Sequence, residues 1–141
     1  MRILPERFPA VITYEVNKPL DAADVARVFD ASTIRRPTGD IARIAKMLAH
    51  GNLTISAWDG DKLVGISRAL TDFAYCCYLS DLAVDQAYQR HGVGKEMIAI
   101  TRREIGEQVA LILLSAPEAM DYYPKVGFEK IANGYIVKRT R

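Results

Sequence analysis

The sequence predicts a single α/β domain, residues 1–141, on a mixed sheet, and three observations carry that prediction. Short apolar runs of strand length alternate with segments whose apolar residues recur at helical spacing. The string Asp59-Gly60-Asp61 marks a tight hairpin between two of those runs. No composition shift, repeat or low-complexity stretch divides the 141 residues, a length that suits one ordinary domain. Half the residues are hydrophobic and 26% are charged, a globular rather than a disordered balance.

Taken in order, residues 9–16 read as a first strand. Asp21 and Asp24 resemble a capping box and open a helix through about Ser32. Arg35, Arg36, Pro37 and Gly39 make a loop. A second helix runs from Asp40 to about His50 with Ile41, Ile44, Ala45 and Leu48 at helical spacing, and Gly51 ends it. Residues 52–58 and 62–70 flank the hairpin. The chain turns at Thr71-Asp72, and 75–84 form a long apolar strand. The longest helix starts at a glycine-containing loop and reaches about Gly106, with Val93, Met97, Ile98, Ile100 and Ile105 among its apolar positions. Residues 109–114 are continuously apolar, the pattern of a strand buried on both faces. Pro117 starts a short helix that Gly127 ends, and residues 128–139 supply one or two closing strands around Asn133-Gly134. The expected order is β-α-α-β-β-β-α-β-α-β-(β).

The bulk numbers also exclude functions. A net charge of +2, with basic residues only in short runs (Arg35-Arg36; Lys138-Arg139-Thr140-Arg141), is too little for a nucleic-acid partner. No stretch of eighteen apolar residues is present, so no membrane span is expected. The N-terminal residues, broken by Pro5 and Pro9, lack a signal-peptide core, and a cytoplasmic location is the expectation. Cys76 and Cys77 are adjacent on one strand, so they point to opposite faces and cannot easily bridge. With no His or Cys partners nearby they make no metal site; reduced core thiols are expected.

The loop Gln89-Arg90-His91-Gly92-Val93-Gly94 lies between a strand and a helix. Gly92 and Gly94 remove side chains that would shield the backbone, so successive N–H groups can converge on phosphate oxygens at the positive end of the helix. Arg90, His91 and Lys95 add charge at the rim. A P-loop is excluded because Lys95 is followed by Glu96, and the dinucleotide fingerprint because only two glycines are present.

Beyond that loop the sequence resembles the GNAT superfamily of acetyl-coenzyme A-dependent N-acetyltransferases. The central motif of that superfamily, Arg/Gln-x-x-Gly-x-Gly/Ala, is matched by Gln89, Gly92 and Gly94, and its preceding Leu-x-Val strand end by Leu82 and Val84. A later motif, an alanine, a helix carrying tyrosine and a closing Gly-Phe, is matched by Ala119, Tyr123, Gly127 and Phe128. The likeness covers nearly the whole chain. It implies a mixed, mostly antiparallel sheet of six to seven strands flanked by about four helices, with a splay between the strands ending near Val84 and Leu114.

The resemblance also implies roles. Acetyl-coenzyme A would be the co-substrate, with no metal. Its pantetheine arm would pair with the backbone of Leu82, Ala83 and Val84, facing Ser115, and its pyrophosphate would meet Gln89, Arg90, His91, Gly92, Val93, Gly94 and Lys95. Tyr123 would protonate the departing thiolate, since a phenol with a pKa near 10 is a proton donor at neutral pH. No general base stands out: by strand alternation Tyr78, Ser80 and Leu82 share one face and Leu79 and Asp81 the other, with Asp81 and Tyr78 the candidates and a water chain the alternative. Asp81 is equally a structural partner for Arg68. Arg35, Arg36 and Arg68 are candidates to recognise a carboxylate or phosphate on the acceptor, or else pair with Asp30, Asp40 or Asp72. Two positions depart from the family pattern: Ala116-Pro117 stands where many members carry an asparagine, and Pro124 follows Tyr123. The expected reaction moves an acetyl group to a primary amine, of a small molecule or else of a protein or peptide. A non-catalytic coenzyme A-binding module is the alternative class. Members of the superfamily often dimerise, which makes a homodimer through the closing strands one expectation.

Overall fold

A computed structural model describes residues 11–141 of the chain. Among them five strands form one sheet in the order β1-β2-β3-β4-β5, with three α-helices. The elements are β1 (Thr13–Val16), α1 (Ala22–Ser32), α2 (Ile41–His50), β2 (Leu53–Asp59), β3 (Lys62–Thr71), β4 (Cys76–Val84), α3 (Val93–Ile105) and β5 (Ala110–Leu113). The first four strands are antiparallel neighbours, and β5 lies parallel to β4. The expected first strand is seen from Thr13; its residues 9 and 10, and the N-terminal stretch read against a signal peptide, lie outside the described residues.

Local chemistry explains most boundaries. Asp21 caps α1 by accepting from the Ala23 amide at 3.1 Å, and Thr33, at φ 72°, ends it. Asp40 caps α2 through the Arg43 amide at 3.1 Å. Gly60, at φ 60°, turns the β2–β3 hairpin so that Asp59 pairs with Lys62. The β3–β4 turn is organised by the Asp72 carboxylate, which accepts from the amides of Ala74, Tyr75 and Cys76. Those three donors lower its pKa to about 2.

The sheet is covered on both faces. On one, α3 buries Val93, Met97, Ile100 and Ile105 against Leu53, Ile55, Ala57, Val64 and Leu79. On the other, Val25, Val28 and Phe29 of α1 and Ile44 of α2 pack on Leu63, Ile66 and Ala83. Each fully buried large side chain contributes about 1.5–3 kcal/mol, so the two cores fix the sheet between its helices. Among the described residues no helix is long and apolar enough to cross a membrane. Both cysteines are free, but only Cys77 is the core thiol expected, with burial raising its pKa; Cys76 is exposed, on the opposite face of β4.

Four expectations need correction. The sheet has five strands and the fold three α-helices among the described residues, not six to seven and about four. β5 is half-exposed rather than buried on both faces, because it is the outermost strand. The short helix after Pro117 is two 3₁₀ turns, Pro117–Ala119 and Tyr123–Val126, with Pro124 in the second. Proline removes a donor and disfavours an α-helical predecessor, which prevents the two turns from merging. Residues 128–139 form no strand: their apolar pattern encodes strand propensity, but no neighbour among the described residues supplies the ladder.

Candidate active site

Two bulges set the geometry. Ala57 pairs with Gly65 but Trp58 with Leu63, leaving Val64 as an extra residue in β3. Arg68 pairs with Asp81 but Ala69 with Leu79, leaving Ser80 as an extra residue in β4. A bulge resets strand alternation. Leu79 and Leu82 consequently both join the α3-side core, while Ala83 joins the α1–α2 side. The simple alternation expected for residues 78–82 fails here, and Tyr78 shares its face with Asp81 rather than with Leu82.

The same bulge ends the contact with β5. The parallel ladder runs from Cys76↔Ala110 to Leu79↔Leu113 and stops, whereas β4 continues to Val84 along β3. Among the described residues the β5-facing backbone of residues 80–84 has no strand neighbour, and Ser115 follows on the far side. An extended amide-bearing arm can pair there as a strand would.

Beyond Val84 the chain makes a 3₁₀ turn, Gln86–Tyr88, capped by Asp85, whose carboxylate accepts from the Ala87 amide at 2.9 Å. Buried Tyr88 pins the turn, its hydroxyl donating to Asp59 at 2.5 Å. Gln89 then donates from Nε2 to the Val84 carbonyl at 2.8 Å, so its side chain holds the loop shut rather than reaching outward. Arg90 at φ 67° and Gly92 at φ 81° bend the backbone into α3. Gly92 is the N-cap and offers no side-chain acceptor, so the first-turn N–H groups of α3 have no capping partner. Val93 is buried and presents only backbone; Arg90, His91 and Lys95 are exposed around it. At Gly94 a Cβ would stand 3.1 Å from the Tyr122 hydroxyl and 3.8 Å from Val84, so the helix approaches its neighbours as closely as glycine permits. The uncapped turn, its cationic rim and the unpaired strand edge fit a pyrophosphate followed by a pantetheine arm.

Tyr123 is half-buried, edge-on to Tyr122 at 5.3 Å and to Phe128 at 5.4 Å. Burial and then the neighbouring Tyr122 raise its pKa above 10, while the positive charge of nearby Arg36 opposes the rise. Its proton is therefore retained throughout the neutral range, the state a proton donor requires. Its neighbour Tyr122 lies at the glycine loop, with its hydroxyl 3.1 Å from where a Cβ at Gly94 would stand. The Tyr-Tyr doublet was visible in the sequence, but which ring faces the loop depends on the 3₁₀ geometry.

Asp81 is corrected as a candidate base. Its side chain is fully enclosed, and its two oxygens accept from Arg36 Nε and Arg68 Nε, each at 2.5 Å. Neither oxygen is open to an incoming amine. Arg68 is also buried, donating further to Ser80 Oγ at 3.0 Å and the Met47 carbonyl at 3.4 Å, which gives it a structural task rather than an acceptor-facing one. Arg36 adds bonds to the Ser80 and Arg35 carbonyls, at 2.8 and 2.7 Å. The partners of both arginines are thus Asp81 and the bulge, not Asp30, Asp40 or Asp72. Arg35 and Tyr78 are exposed. No group of acidic, His or Cys side chains among the described residues could hold a metal. An open groove of about 730 Å³ lies elsewhere, at the C-terminal half of α3 beside β5, lined by Arg102, Ile105, Val109, Leu111 and Phe128 among others.

A mixed sheet that opens beside an uncapped, glycine-led helix defines the class of this α/β domain. A model of the acetyltransferase (GNAT) domain matches residues 25–139, and the chain belongs to the GNAT acetyltransferase family. The probable acetyltransferase TAP2 of Glycine max is 26% identical over 136 residues, covering 87% of this chain and 54% of that protein. A GNAT family acetyltransferase from Streptococcus pneumoniae TIGR4 superposes with a TM-score of 0.73 at 23% identity, covering 93% of this chain and all of that one. The aminoglycoside N-acetyltransferase AAC(6')-Iy, in complex with CoA, superposes at 0.71 with 16% identity, covering 98% of this chain and 100% of its own. At these identities the superpositions establish the shared fold. The chain spans about half the length, or less, of the curated relatives TAP2 and an Arabidopsis thaliana protein.

Proposed function

We propose that the protein transfers an acetyl group from acetyl-coenzyme A to the primary amine of a small molecule, by direct attack within a ternary complex. The observation that carries this reading is the β4 edge left unpaired after Leu79, running into the uncapped α3 turn at Gly92. That arrangement offers the backbone of Leu82–Val84 to a pantetheine arm on one side and an anion site of amides on the other, with Arg90, His91 and Lys95 at the rim. Tyr123 is assigned as the donor to the leaving thiolate: the amine nitrogen bonds the acetyl carbon, the carbon–sulfur bond breaks, the sulfur takes the phenol proton, and the phenolate is reprotonated as the new amide nitrogen sheds its extra proton. Holding the two reactants in line removes on the order of 7–11 kcal/mol from the bimolecular barrier. With Asp81 sealed between two arginines, the ammonium proton leaves through water rather than through a dedicated carboxylate. A small-molecule acceptor agrees with the naming of structural neighbours as aminoglycoside acetyltransferases.

The test is thiol release from acetyl-coenzyme A against a panel of amines. Amine-dependent release with a matching acetylated product is the expected result. Tight coenzyme A binding with no release from any amine would favour the non-catalytic module.

The partner proposed is a second copy of the chain. Tyr135 and Val137 are 100% and 99% exposed, in a segment with strand composition, while β5 leaves one edge open. Exposed edges and unpaired apolar strands complete one another across a two-fold axis. Val137→Lys is expected to leave the melting temperature of the monomer unchanged and to convert a dimer to monomer in light-scattering chromatography. A wild-type monomer at micromolar concentration would contradict this assembly.

A further inference from the structure

The hydrogen-bonded cluster at the β4 bulge is not neutral. Two guanidiniums, Arg36 and Arg68, share the single carboxylate of Asp81, which leaves one positive charge in excess. Arg68 cannot present that charge, because its side chain is only 9% exposed and is bonded to Asp81, Ser80 and Met47. Arg36 can: its side chain is 29% exposed.

Three N–H groups of Arg36 are engaged, with Asp81, the Ser80 carbonyl and the Arg35 carbonyl. A guanidinium has five, so two remain to bind another acceptor. The acids of the same loop do not quench it. Asp30 accepts from Thr38 Oγ1 at 2.8 Å, and Asp40 is the cap of α2. Arg35, next in sequence and exposed, adds a second cation on that side.

The position of Arg36 is as telling as its charge. Its Ser80 contact is to the bulge residue immediately after the last β4–β5 pair, at the mouth of the opening between those strands. The charge also reaches the Tyr123 phenol, where it opposes the rise in pKa caused by burial. Arg36 therefore stands at the mouth of the opening through its Ser80 contact, with its charge felt at the proposed proton donor. A site of this sign repels a polycation and attracts an oxyanion, and a guanidinium with two open N–H groups recognises a carboxylate or phosphate with geometry as well as charge.

We infer that the acceptor is a small primary amine bearing an oxyanion, carboxylate or phosphate, which docks on the open face of Arg36 beside the Ser80 bulge. This rests on the acetyltransferase reading above, and it separates the chain from acetyltransferases of polycationic aminoglycosides despite the shared fold.

The test is a matched panel on the wild-type protein with acetyl-coenzyme A, read as kcat/KM for thiol release. Acids (α-amino acids, β-alanine, 4-aminobutyrate) are compared with their amides, phosphoethanolamine with ethanolamine, and all of these with spermidine and an aminoglycoside. At least one acid or phosphate is expected to exceed its neutral mate by tenfold or more, with the ratio falling as salt rises. Which of the two anions wins distinguishes carboxylate from phosphate. Arg36→Gln is expected to bring the ratio near one mainly through KM, and Arg36→Lys to restore part of it. Should Arg36→Gln fail to fold, the wild-type panel and its salt dependence still decide.

Preference for neutral or polycationic amines would overturn the inference, as would an anion preference unchanged in folded Arg36→Gln. Coenzyme A binding without turnover of any acid or phosphate would also overturn it. Failure to bind coenzyme A at all would instead strike the acetyltransferase reading, so the two failures are distinguishable.

Discussion

Asp81→Ala is expected to lower the unfolding free energy by about 3–5 kcal/mol, the range for breaking one side of a buried ion pair. The carboxylate is fully enclosed and, among the described residues, is the only anion bonded to Arg36 and Arg68. Its removal leaves a mostly buried guanidinium, that of Arg68, facing a second cation across the space it vacated. Asp81→Asn is expected to be nearly as damaging, because the amide keeps the shape but supplies no negative charge and only one acceptor oxygen. The damage should extend beyond the cluster, since Asp81 joins the α1–α2 loop to the β4 bulge and Arg68 joins that bulge to the end of α2 through Met47. Urea denaturation of wild type and variant measures the loss. A change below about 1 kcal/mol, the usual worth of an exposed pair, would show that solvent reaches the cluster.

Tyr123→Phe is expected to reduce kcat by about 10²–10⁴-fold, the span of general acid catalysis, while leaving coenzyme A affinity within a few-fold. Phenylalanine keeps the edge-on contacts with Tyr122 and Phe128, so only the hydroxyl is tested. The pH profile carries a sign as well. Because burial raises the phenol pKa above 10, its protonated, donating form persists through the neutral range. A loss of rate caused by this group is therefore displaced to more alkaline pH than an ordinary phenol would give. An unaltered kcat in Tyr123→Phe would remove it from the proton transfer.

The sequence made the regular parts of this fold readable because local chemistry sets them. Asp21, Asp40 and Gly51 delimit α1 and α2 by capping, and Gly60 sets the hairpin; each acts within a few residues. The glycine loop was legible for the same reason, since the requirement for positive φ at Gly92 is written in one residue type. What was hidden depended on pairing between distant segments. The Ser80 bulge appears only once Arg68 is set opposite Asp81, and without it alternation puts Tyr78 and Asp81 on opposite faces. The Arg36–Asp81–Arg68 cluster joins three segments across 45 positions of sequence, so composition showed its members but not their meeting. The strand-like tail of residues 128–139 marks the same boundary: propensity is local, a ladder is not.

The central claim is that the backbone at Gly92–Lys95 and the free edge of β4 bind acetyl-coenzyme A, and calorimetric titration of wild type and Gly92→Leu tests it most directly. At position 92 a Cβ would meet nothing within 4 Å, so the fold loses only the strain of φ 81°, about 1–2 kcal/mol. The leucine side chain would, however, occupy the approach to the α3 amides. One acetyl-coenzyme A is expected to bind per wild-type chain, with an affinity at least a hundredfold weaker in folded Gly92→Leu and with ATP a poor ligand for both. Equal affinity in the two folded proteins, or binding of ATP in place of acetyl-coenzyme A, would contradict it.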